Sequence, residues 1–124
     1  MMLHEAFYQA ARAALAGLAA PAGPVAFWAF GDAPEDPGGP YGTYQAIGPG
    51  GRRWVFEGAT DYAVIQVNVS ALKSDPARYD QLEGAFRALD QLPTLRRRGP
   101  PLPLPAPAGD PYKTLRAEYE VNHD

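Results

Sequence analysis

The sequence contains no cysteine. Disulfides, thiolate metal sites and a cysteine nucleophile are thereby excluded. The compartment stays open, because proteins of reducing compartments also do without cysteine. Long apolar runs are missing too: no stretch approaches the roughly eighteen residues of a membrane span. Basic charge is scarce, with eleven Lys and Arg against fourteen Asp and Glu and a net charge of −3. The electrostatic footprint of a general nucleic-acid binder is therefore absent overall. The two histidines, His4 and His123, stand at opposite ends of the sequence. They read as solvent-exposed residues, not as a catalytic or metal pair completed by Glu120 or Asp124. The Ala-rich N-terminal stretch has no basic n-region, and His4, Glu5, Gln9 and Arg12 interrupt any apolar core of a signal peptide. It is expected to be a helix of the folded protein.

Proline and glycine, by contrast, are plentiful: fourteen and thirteen in 124 residues, and clustered. The length suits one domain, 1–124, with long irregular excursions at about 31–40, 48–58 and 95–111. Between them the periodicity is clear. Residues 63–71 alternate, with Ala63, Ile65, Val67, Val69 and Ala71 on one side and Val64, Gln66, Asn68 and Ser70 on the other. That is a half-buried strand whose second face is wet or meets a polar partner. Leu3, Phe7, Ala11, Ala14, Leu15 and Leu18 fall on one helical face. A second helix is expected over 76–92, with Asp75 as N-cap, Pro76 as first residue and Tyr79, Leu82, Phe86, Leu89 and Leu92 in line. Strands are expected at 25–30, 41–47 and 112–121, with a shorter one at 94–97 and a short strand or extended loop arm at 52–57. The Pro-rich segment 95–109 is expected to lack regular structure through its centre. The order implies an α+β fold: a single mostly antiparallel sheet with two helices packed on one face.

No catalytic constellation accompanies this scaffold, and no cofactor or metal site is expected. Asp32, Glu35 and Asp36 lack the alternation of a calcium loop and read as a solvated turn. Gly48-Pro49-Gly50-Gly51 lacks the spacing and the lysine of a phosphate loop. Protein contact is the chemistry that remains. Arg52, Arg53, Trp54 and Phe56 have the composition enriched at interfaces, although Trp54 and Phe56 serve a core equally well. Arg96, Arg97 and Arg98 form the strongest local charge, suited to a solvated surface or a subunit interface more than to nucleic acid. Gln66 and Asn68 are the polar positions of the scaffold itself. Residues 100–107 (PPLPLPAP) are a rigid connector or a polyproline ligand for an aromatic groove.

The order of pieces carries a family likeness. A helix (LHEAFYQAARAALAGL) leads to a strand and a Pro-rich loop, then PYGTYQAIG, then AVIQVNVSA running into the helix ARYDQLEGAFRALDQL, and last YKTLRAEYEVNHD. Over nearly its whole length the chain resembles the tail terminator or tail completion proteins of long-tailed bacteriophages. The segment RRRGPPLPLPAPAG departs from that pattern by its proline content. The resemblance implies a structural virion protein, not an enzyme. It implies a homo-oligomeric ring, usually a hexamer, at the head-proximal end of the tail tube in the virion tail, assembled in the host cytoplasm. Its partners would be the tail-tube protein and the head–tail connector protein, with DNA only as passing cargo and no membrane. The alternatives are a head–tail connector or other minor tail protein, or a non-viral adaptor that binds through its Pro-rich segment.

Overall fold

The central strand, β3 (Tyr62–Leu72), has a neighbour on each side. β2 (Tyr41–Gly48) and β6 (Tyr112–Asn122) both run antiparallel to it, the latter over eleven paired residues. β1 (Ala26–Ala29) extends the sheet beyond β2 in parallel. β4 (Leu95–Arg97) and β5 (Leu102–Pro103) both pair with the far side of β6. The result is a mixed, mostly antiparallel six-stranded sheet in the order β1-β2-β3-β6-β4, with β5 beside β4 on β6. This is the expected α+β class. In this computed structural model the described residues are 3–19, 23–29, 31–34, 37–48 and 62–122. The expected strand or arm at 52–57, with Arg52, Arg53, Trp54 and Phe56, lies outside them, as do Glu35, Asp36, His123 and Asp124.

Alternation decides what the sheet buries. Ile65, Val67, Val69 and Ala71 of β3 share a face with Tyr44 of β2 and with Ala117, Tyr119 and Val121 of β6. Both helices cover that face. α1 (Leu3–Ala16) contributes Phe7, Ala11 and Leu15, and α2 (Arg78–Asp90) contributes Leu82, Ala85, Phe86 and Leu89, all to one continuous core. These are the spacings of three and four that line up one helical stripe. Each such Leu, Ile, Val or Phe contributes about 1.5–3 kcal/mol by leaving water. At one end of the core Phe7, Tyr8, Phe27 and Tyr44 form an aromatic cluster with centroids 5.2–6.1 Å apart. Gly42 makes room for it, because a Cβ there would stand 2.9 Å from Cδ1 of Phe27 and 3.3 Å from the backbone oxygen of Asn68.

Two details differ from the sequence reading. Helix α2 starts at Arg78, so Asp75 is not its N-cap. Asp75 instead stabilises the turn before it, its carboxylate accepting from Ala77 N at 2.9 Å and from Gln81 Nε2 at 3.0 Å. The Ala77 amide, then the Gln81 amide, hold that carboxyl below its ordinary value. Second, the proline run does contain regular structure, at β5. Leu104 N donates to Thr114 O at 3.0 Å, so the nitrogens of Pro103 and Pro105 on either side of it face away from β6. Proline is tolerated on a sheet edge in that orientation, where no ladder bond needs its missing N–H. The segment from 95 to 104 is therefore held along β6 and does not project over its whole length.

Candidate functional site

The face of the sheet opposite the helices is polar. Gln45, Gln66 and Glu118 stand side by side across β2, β3 and β6, and Thr43, Asn68 and Arg116 form the next row. Asn68 Oδ1 accepts a hydrogen bond from Arg116 Nε at 2.9 Å. The hydroxyls of Ser70 and Thr114 are 2.6 Å apart in the row beyond. Gln66 and Asn68, picked out by alternation, are both half-buried on this face. The strand period puts them there, since each neighbours an inward-facing valine or isoleucine.

The three consecutive arginines do not form one patch. β4 is extended, so Arg97 points to the helix side and Arg96 and Arg98 to the other. Arg97 lies 3.4 Å from the Asp90 carboxylate, which also accepts from the Tyr119 hydroxyl at 3.0 Å. Burial, then the nearby Asp90 carboxylate, pushes the Tyr119 phenol far above its ordinary value. Arg98 lies 3.5 Å from Glu118 and 3.7 Å from Glu120. Two of the three charges are thus engaged by carboxylates of the chain itself, which weakens any phosphate-binding role. The Arg98 pairs are about half exposed, so Arg98→Ala should change stability by less than about 1 kcal/mol in urea unfolding.

Between Arg98, bonded through N to Glu118 O, and Leu102, paired with Arg116, residues 99–101 oppose a single position, Ala117. This bulge opens a concavity on each side of the sheet. The one on the polar face, about 310 Å³, is lined by Arg98, Leu102, Arg116 and Glu118. The one on the helix side, about 420 Å³, is lined by Leu82, Phe86, Arg97, Pro101 and Leu115. Neither gathers an acid, a base and a nucleophile. Among the described residues no group of three or more His, Asp or Glu is placed to hold a metal. No helix among them is long and apolar enough to cross a membrane.

A third surface went unnoticed in the sequence. Trp28, Tyr41 and Tyr112 form an aromatic row across one end of the polar face, each half-buried. Their centroids are 6.4 Å apart for Trp28–Tyr41 and 5.2 Å apart, at 90°, for Tyr41–Tyr112. Gly38 N donates to the Tyr112 hydroxyl at 3.2 Å, tying the loop before β2 to the row. The signal was present but partial. Alternation put Tyr41 on the side of Thr43 and Gln45, so an aromatic on the polar side was visible. Its neighbours come from strands far apart in sequence. No protein-family model matches the chain, and no curated protein matches it.

Proposed function

We propose that the chain is a structural subunit of a phage tail, of the tail terminator or tail completion type. In this reading it forms a ring, usually of six copies, on the head-proximal end of the tail tube. The ring ends tube polymerisation and presents a surface to the head connector. The observation that carries the reading beyond the family resemblance is the presence of two dissimilar surfaces on one sheet. One is the aromatic row that crosses the end of the polar face from β1 to Tyr112 of β6, and the other is the proline-lined edge beyond β6. A closed ring is built from heterologous contacts, which require two different patches per subunit. The net charge of −3 suits a channel through which DNA slides, because like charge opposes adhesion to the phosphate backbone.

The test is the mass of the purified protein, alone and with tail-tube protein. Six copies of 13.3 kDa give about 80 kDa, expected in solution or on the tube end. A monomer under both conditions would sink the reading. The exposed proline run also favours an adaptor as second reading. An adaptor would stay monomeric and lose its partner when Pro105 and Pro107 are changed to serine.

A further inference from the structure

Each residue from 99 to 107 is a proline or directly precedes one. Proline fixes its own φ and drives the residue before it into extended or polyproline II geometry. The run is thus pre-organised without any packing. Leu102 and Leu104 are fastened to β6, while Pro103 and 105–108 are exposed. The outer side of that run offers carbonyl oxygens, and the prolines there offer no N–H donors. A second strand cannot add to such an edge through a normal ladder. What matches it is a set of flat rings to receive the prolines, with N–H and O–H tips to bond the carbonyls. Trp28, Tyr41 and Tyr112 supply those rings, with an indole N–H and phenol hydroxyls at their tips.

The run cannot serve its own row. It is held at Leu115 and Arg116 through β5 and at Thr114 through Leu104, and it turns back at Pro107, whose oxygen accepts from Asp110 N at 3.1 Å. Although Tyr112 stands on β6 itself, Trp28 at the other end of the row lies four strand spacings from β5, on β1. At about 4.8 Å per spacing that separation is roughly 19 Å, more than the tethered run spans. A second copy has no such restraint. We propose that the exposed proline segment, 103–108, of one copy docks across the Trp28–Tyr41–Tyr112 row of the next. This rests on the ring reading and supplies its heterologous contact. The segment lines the edge beyond β6 while the row crosses the polar face from β1 to Tyr112 of β6, so the two are distinct patches and the contact repeats head to tail.

Two full-length variants test it. One alters the segment (Pro103→Ser, Pro105→Ser, Pro107→Ser), and the other alters the row (Trp28→Ala, Tyr41→Ala). Circular dichroism and melting establish that each is folded. Light scattering should then show a ring for the unaltered protein and a monomer for each variant alone. An equimolar mixture should give a dimer and nothing larger, because it holds one intact segment facing one intact row. A synthetic peptide of residues 100–107 should bind the segment variant, and at least tenfold more weakly after Tyr41→Ala is added. A folded variant that keeps the ring mass, or a mixture that stays monomeric, overturns the contact and leaves the ring standing. Unaltered protein that is monomeric even with tube protein ends the ring reading and this contact with it. Row-dependent peptide binding in that case reassigns the row to a proline-rich segment of another protein.

Discussion

Phe27→Ala should lower the unfolding free energy by about 3–5 kcal/mol, a large share of the roughly 5–15 kcal/mol typical of a domain. Phe27 is 3% exposed and is stacked on Tyr44 at 5.6 Å and on Tyr8 at 6.1 Å, with Phe7 edge-on at 6.0 Å. Removing the ring takes away its burial and leaves a cavity between three other rings, which collapse only partly. The same site can be overfilled. Gly42→Ala sets a methyl 2.9 Å from the Phe27 ring, with the backbone oxygen of Asn68 close on another side, so it should cost about 1–3 kcal/mol. The two changes share one space and cannot add. In the Phe27→Ala background the extra methyl enters the cavity, and its cost should vanish or reverse. Urea unfolding of the four proteins of the cycle gives the coupling directly. Simple additivity would mean that the Phe27 ring does not set the size limit at residue 42.

The second large effect appears at high pH. Tyr119 is fully buried, and its hydroxyl donates to Asp90, so the folded protein keeps that proton well above the ordinary tyrosine range. In the unfolded chain Tyr119 ionises near pH 10. Above that pH the folded state binds more protons than the unfolded state, and stability falls as pH rises. The contribution is intact below pH 10 and is lost at up to about 1.4 kcal/mol per pH unit above it. Tyr119→Phe removes the titration along with the hydrogen bond. At neutral pH the variant should be less stable by about 1 kcal/mol, since Asp90 remains open to water. From pH 10 to 12 the gap should close and then invert. Denaturant midpoints for both proteins across pH 8–12 measure it, and parallel curves over that range would refute the assignment.

Most of the scaffold was legible because burial on one side leaves a periodic trace. Ile65, Val67 and Val69 announced β3, and Leu115, Ala117, Tyr119 and Val121 announced β6, from two-residue alternation alone. The helical stripes of Phe7, Ala11 and Leu15, and of Leu82, Phe86 and Leu89, were equally plain. β5 was hidden because proline argues against a strand unless the strand is known to be at an edge, and edges are not written in local sequence. Asp75 followed the composition of a helix cap, but the turn it stabilises precedes the helix by a few residues. The candidate site was less legible. Gln66 and Asn68 were visible as interruptions of a β-branched run. The aromatic row needed the pairing of β1, β2, β3 and β6 before Trp28, Tyr41 and Tyr112 could be seen as neighbours. The arginine run shows the converse: adjacency in an extended strand separates side chains to opposite faces, so three neighbours in sequence do not make one patch.

The position of β6 has a consequence for how the protein is made. It is the last of the described strands in sequence, yet it lies inside the sheet, between β3 and the pair β4 and β5. On the ribosome β3 therefore waits with one long edge unsatisfied, and β4 and β5 have nothing to pair with, until β6 emerges. Contacts of such long sequence separation form late, and exposed strand edges invite association with other chains in the meantime. Folding of the sheet is thus postponed until β6 has left the ribosome, and truncated products that lack β6 are the species from which aggregation would start.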